Sequence, residues 1–216
     1  MNLLHLFIDP DEREAIASRL GGVVVGVVTN NQDPDGMGRV KVKLPWLSDT
    51  DESAWARVAT PMAGPGRGLY FLPEVDDEVL VAFEHGDARF PYVLGALWNG
   101  QDAPPADNGD GANNIRVIQS RSGHIIRLDD TDGAEKIEII DKSGKNSVTI
   151  DAAANTITVK ADSDITFEAA QGKVTLKGQS VEISSTAQDV KLESAANMDV
   201  KSSGQLTVKG ATVNIN

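Results

Sequence analysis

From residue 137 to the end, the chain repeats a three-residue signature: an apolar residue, one intervening residue and a second apolar residue. It occurs as Ile137/Ile139, Val148/Ile150, Ile157/Val159, Ile165/Phe167, Val174/Leu176, Val181/Ile183, Val190/Leu192, Met198/Val200, Leu206/Val208 and Val213/Ile215, and Ile126/Leu128 starts the series. From Val148 to Val213 is 65 residues in eight steps, close to eight per step. Alternation within a unit describes a strand with one buried face. Gly, Ala, Ser, Asn, Asp and Gln lie between units and allow tight bends.

An eight-residue unit severely limits the fold. A four-residue strand and a corner cannot encircle a core. A single-chain β-solenoid needs roughly 18–25 residues to close a three-sided coil, because each face requires its own strand and corner. Three chains winding together, one face each, supply about 24. The repeat therefore predicts an intertwined homotrimeric β-helix. Its axis is lined by the trimer core Ile137, Ile139, Val148, Ile150, Ile157, Val159, Ile165, Phe167, Val174, Leu176, Val181, Ile183, Val190, Leu192, Met198, Val200, Leu206 and Val208. With layers about 4.8 Å apart, ten or eleven octads give a shaft on the order of 50 Å. The competing arrangement is an antiparallel meander of short hairpins. The solenoid is favoured because the connections lack the regular Asn-Gly or Asp-Gly of two-residue turns.

Composition separates this region from what precedes it. All nine prolines and nine of the ten aromatic residues lie before position 106, leaving only Phe167 in the second half. A narrow axis holds aliphatic side chains better than rings, and strand interiors that donate to a ladder exclude proline. The chain has no cysteine, so disulfides, thiolate zinc sites and cysteine nucleophiles are excluded. Its three histidines (His5, His85, His124) are far apart in sequence, and no metal or cofactor is expected. The formal charge is −12, with −7 over residues 1–100 and −5 beyond, which disfavours nucleic acid. No apolar run reaches the 18 or more residues of a membrane span. The early Asp9, Asp11 and Glu12, without a basic n-region, argue against a secretory signal.

Residues 1–22 are expected to hold a small apolar cluster (Leu3, Leu4, Leu6, Phe7, Ile8) and a helix over 9–20. Asp9 caps this helix, Pro10 starts it and Gly21-Gly22 ends it. So short a helix either packs on its own domain or docks on a partner. Residues 23–100 read as short β-branched strands at Val23–Val28, Gly38–Leu44, Ala54–Thr60, Glu78–Phe83 and Tyr92–Leu97, which suits a small OB-like barrel. Residues 101–113 are a polar linker, and 114–216 the shaft. The expected class is all-β: an N-terminal helix, an OB-fold barrel, then the intertwined trimeric β-helix.

Four motifs in order carry a resemblance. They are Gly38-Arg39-Val40-Lys41-Val42-Lys43-Leu44-Pro45-Trp46, Ala54-Trp55-Ala56-Arg57-Val58, the run from Pro73 to Asp87 with Asp77-Glu78-Val79 inside it, and Pro91-Tyr92-Val93-Leu94-Gly95. Together with the octads, residues 23–216 resemble phage baseplate protein V and the VgrG-type central spikes of contractile injection systems. Where that family commonly has Gly before Asp-Glu-Val, this chain has Asp76. The resemblance implies a homotrimeric needle made in the bacterial cytoplasm and assembled in the baseplate of a phage tail or tail-like particle. Such a needle pierces the target envelope on sheath contraction and meets the membrane only transiently. With only about 22 residues ahead of the barrel, a separate baseplate hub protein is expected, docked by Leu3, Leu4, Leu6, Phe7 and Ile8. The repeat runs to the last residues, so a PAAR-type tip protein is expected on Val213, Asn214, Ile215 and Asn216. The His-x-His iron site of some spikes has no counterpart after His124.

Several stretches invite chemical readings that their surroundings weaken. Asp33-Pro34-Asp35-Gly36 lacks the remaining ligand positions of a calcium loop and reads as a turn. Gly64-Pro65-Gly66-Arg67-Gly68 lacks the Gly-Lys-Ser/Thr of a phosphate cradle and reads as a barrel loop. Asp129-Asp130-Thr131-Asp132-Gly133 falls between strands and reads as a solvated turn rather than a glycosidase pair. Ser122-Gly123-His124 has no orienting third group. No catalytic residue is assigned. The rival function is a trimeric β-solenoid enzyme that degrades polysaccharide, which would need carboxylate grooves and aromatic platforms on the shaft. A free carbohydrate- or oligonucleotide-binding OB module is a third option, and the acidic barrel weighs against its nucleic-acid form.

Overall fold

Alternation of Val and Leu with polar or small residues builds the first sheet. A computed structural model describes residues 20–214; the expected helix at 9–20 lies outside them but for Leu20. The first sheet holds β1 (Val23–Asn30), β2 (Lys41–Lys43), β3 (Arg57–Val58), β6 (Glu78–Phe83) and β7 (Pro91–Ala96), while β4 (Ala63–Gly64) and β5 (Arg67–Gly68) form a separate two-stranded hairpin. The order across the large sheet is β2-β1-β6-β7-β3, antiparallel throughout except the parallel β3–β7 pair. An isolated antiparallel bridge between Val40 and Ala56 joins the two ends. Its two backbone bonds are 3.0 and 2.7 Å long. Numbered among themselves, the strands therefore run 1-2-3-5-4 and back to 1, the closed topology of an OB barrel.

Strand β6 shows why the barrel holds together. Val79, Val81 and Phe83 are buried while Glu78, Leu80 and Ala82 between them are half-buried. The core adds Val28, Val40, Val42, Leu44, Ala56 and Val93. Among the described residues Phe83 contributes the one aromatic ring of this core. Gly26 on β1 permits close packing: a Cβ there would stand 3.1 Å from Val81 Cγ2 and 3.2 Å from the Lys43 carbonyl oxygen.

Residues 115–160 form a second sheet of five antiparallel strands in simple succession: β8 (Ile115–Gln119), β9 (Ile125–Asp129), β10 (Lys136–Ile140), β11 (Ser147–Asp151) and β12 (Thr156–Lys160). This corrects the expectation of solenoid coils from residue 114 onward: these five strands pair as the hairpin meander. The reason lies in the spacing. Ile126 to Ile137 and Ile137 to Val148 are eleven residues each, and Val148 to Ile157 is nine. That leaves room for loops longer than the two-residue turns sought in the sequence. Each loop reverses at a left-handed residue, namely Gly123, Gly133, Gly144 or Asn155.

The described chain divides into two compact units, one ending at Asp162 and the other beginning at Ser163. In the second unit every residue from 163 to 214 is exposed, and none of them lies in a strand ladder. The backbone bends at 170–172, 179, 186–188, 195–196, 203–204 and 211–212, with straight segments between. No residue from 163 to 214 has a positive φ, so the chain turns corners here without reversing.

Candidate assembly surface

The second sheet presents its apolar residues to solvent. Cross-strand pairing aligns Ile118, Ile126, Ile139, Val148 and Val159 in one row, and Arg116, Leu128, Ile137, Ile150 and Ile157 in the next. Each of the nine aliphatic side chains is at least 37% exposed, and Ile157 reaches 72%. The residues between them face the other way and are mostly half-buried. On that face Arg127 Nε donates to Glu138 Oε2 at 2.8 Å. The sheet therefore hides its polar side better than its aliphatic one, the reverse of a folded single chain. Burying such a side chain fully is worth roughly 1.5–3 kcal/mol.

The apolar face continues towards the barrel. Phe71, 66% exposed, lines a cleft of about 620 Å³ with Ile118, Ile126, Ile139, Val148 and Val159. Beside it, Met37, Met62, Leu69 and Tyr70 are exposed around a second groove of about 630 Å³ that Phe71 also lines. Arg121 Nη1 donates to Glu74 Oε2 at 2.7 Å, tying the β8–β9 loop to the barrel. Ile137, Ile139, Val148, Ile150, Ile157 and Val159, expected on a trimer axis, share one face of this single-chain sheet. Sequence reasoning missed Ile118 and the barrel cluster around Phe71. The signal for Ile118 was its position across from Ile126; exposed rings in a loop carry no period to find.

The octad residues Ile165, Phe167, Val174, Leu176, Val181, Ile183, Val190, Leu192, Met198, Val200, Leu206, Val208 and Val213 are all between 47% and 74% exposed. Asn214 is exposed as well, whereas Ile215 and Asn216 lie outside the described residues, as do Leu3, Leu4, Leu6, Phe7 and Ile8.

The stretches read as turns are turns. Asp33 accepts from Arg39 Nε at 2.9 Å and Arg39 Nη2 at 2.7 Å, and from the backbone N–H groups of Asp35, Met37 and Arg39. The Arg39 guanidinium holds the Asp33 carboxyl well below the usual carboxylate range, against the opposing effect of burial. Gly64 and Gly66–Gly68 belong to the exposed β4–β5 hairpin or its tip. Asp129 accepts from the hydroxyl and N–H of Thr131, which lower its pKa, and Asp130 pairs with Arg116 at 2.6 Å. Asp141 is pulled down to about 2, mainly by the Ser143 hydroxyl. His124 Nδ1 accepts from the Lys142 backbone N–H at 3.2 Å, and the His124 backbone N–H donates to Ser120 Oγ at 3.0 Å. Among the described residues no three His, Asp or Glu side chains converge to hold a metal ion. No helix among them is long and apolar enough to cross a membrane. At the family's Gly position, Asp76 adopts φ 75°, the left-handed conformation that glycine takes freely, and its N–H donates to the Val28 carbonyl at 2.9 Å.

Comparison with known proteins agrees with this architecture. Residues 24–98 match the injector OB domain shared by type VI secretion systems and phage baseplates. The chain is 31% identical over 143 residues to the type VI secretion system spike protein VgrG1a of Pseudomonas aeruginosa, covering 61% of this chain and 22% of that protein. It is 31% identical over 128 residues to VgrG1b of the same organism, covering 54% and 17%. It is 25% identical over 155 residues to the actin cross-linking toxin VgrG1 of Vibrio cholerae, covering 69% and 13%. The chain thus spans about a fifth or less of the length of these curated relatives. The first two bear the name of spike proteins, and the third that of a toxin. The closed five-stranded barrel at 24–98 is thus the part that matches the injector OB domain, and similarity to the VgrG spike proteins runs on past it.

Proposed function

We propose that the chain is the central spike of a contractile injection system: a homotrimer whose barrel faces the baseplate hub and whose repeats form a needle driven through the target envelope by sheath contraction. The observation that carries this is the aliphatic face of β8–β12, which stands exposed among the described residues. Three such sheets brought together around an axis bury it. The bends near every eighth residue in 163–214, with apolar pairs between them, support the continuation of that axis as a three-chain β-helix. A hub protein on one side and a PAAR-type tip on the other belong to this reading, as do synthesis in the cytoplasm and assembly in a tail-like particle. The role is mechanical rather than catalytic. Each chain's ladders would be made with the other two, so no chain could leave without breaking bonds along the whole shaft. The test is native mass measurement of the purified chain together with SDS gels run before and after boiling. An SDS-resistant trimer is expected; a species with the mass of one chain overturns the reading.

A further inference from the structure

Resting on the three-chain reading above, we propose that charged side chains on the outer face of residues 163–214 form a ladder between chains, which sets the register of the needle. Each octad has three outward positions: before, between and after its apolar pair. Their sharing of one face is visible in the structure, where Lys191 pairs with Glu193 at 2.7 Å and Lys201 with Asp199 at 3.3 Å. If each octad advances one face and one layer, three copies related by 120° place octad n of one chain directly beside octad n+1 of another. Matching outward positions then become lateral neighbours, about 4.8 Å apart.

Reading the sequence in that register brings together Asp164/Lys173, Glu168/Lys177, Glu182/Lys191, Lys191/Asp199 and Glu193/Lys201. All five are opposite in sign, and the single like-charged neighbour is Lys201/Lys209. A single-chain solenoid with three octads per coil would instead stack octad n on n+3. That register yields Asp164/Asp189, Glu168/Glu193 and Lys177/Lys201, all like-charged, and no opposite pair. Opposite charges directly across neighbouring strands stabilise and like charges destabilise. Hairpins between successive octads would also unite opposite charges. They require a reversal at every connection, however, and 163–214 contain none of the left-handed residues that reverse the chain at Gly123, Gly133, Gly144 and Asn155. The pattern thus selects neighbours from different chains, in parallel, one octad apart.

The chain has no cysteine, so an introduced pair reports without background. In the full-length double variant Glu193→Cys/Lys201→Cys, oxidation is expected to link each chain to both others, giving on a non-reducing gel a band at three times 22.9 kDa. Neither single variant should cross-link. In an antiparallel hairpin, position 193 would face 197 and not 201. A monomer band from a protein that is trimeric by native mass overturns the ladder and leaves the spike reading standing. Covalent dimers from either single variant do the same. A parent protein with the mass of one chain overturns both. A second arm reads the charges themselves. Lys191→Glu turns two neighbours per chain like-charged and should lower the temperature of trimer dissociation by several degrees, less so in high salt. Glu182→Lys/Lys191→Glu/Asp199→Lys should restore it. An unchanged dissociation temperature in the single variant, or no recovery in the triple one, overturns the ladder.

Discussion

The barrel and the sheet that follows it are made of the same aliphatic residues and differ in where their faces point. The barrel closes on itself through the Val40–Ala56 bridge, so Val28, Val79, Val81 and Val93 have no exposure at all. Among the described residues no second layer covers the aliphatic face of the β8–β12 sheet, and Ile126, Ile139 and Val148 on it stay open. An alternating strand therefore specifies that one face wants covering, not what covers it. Closure within one chain buries that face, and without closure it stays exposed.

The largest effect expected from this contrast is Val81→Asp. An unpaired carboxylate in the barrel core costs about 4 kcal/mol or more, and the barrel's cooperative thermal transition, followed by tryptophan fluorescence, should vanish. Ile139→Asp should spare that transition while lowering the temperature of trimer dissociation on native mass measurement. An unchanged dissociation temperature would mean that the aliphatic face is not where chains meet. Next is Asp33→Asn, which removes the charge that Arg39 clasps. Asp33 titrates below its unfolded value near 4, so its contribution is complete above that pH and lost as pH falls further. The variant should melt lower at pH 7 and lose part of the parent's decline under acid, as read from melting curves between pH 7 and 2. Asp141→Asn in the β10–β11 loop should act more weakly, its pH dependence confined between about 4 and about 2. Smallest is Asp76→Gly. Relief of the left-handed conformation offset by extra unfolded-state freedom should stabilise the barrel by up to about 1 kcal/mol, seen as a slightly higher melting temperature.

The same contrast separates what could be read in advance from what could not. The barrel strands stood out because Val79, Val81 and Phe83 alternate with half-buried neighbours and turn residues punctuate the runs. The hairpin meander is hidden in the sequence because the apolar pairs of 137–159 share the signature of the octads beyond them, and only their steps of eleven and nine residues leave room for loops. The patch around Phe71 and Tyr70 was missed because exposed rings in an irregular segment leave no period.

Sequence by itself determined the two regimes of this chain. All nine prolines and every ring but Phe167 lie before position 106, and paired aliphatics recur beyond it. It also determined the alternation of charge between successive octads, since that is a property of spacing alone. Tertiary structure decided which strands close on one another and which face is left bare. That depends on partners far apart in the chain, such as Val40 and Ala56, and on whether a connection reverses or merely bends. Periodicity is local, but burial is settled only when distant segments meet.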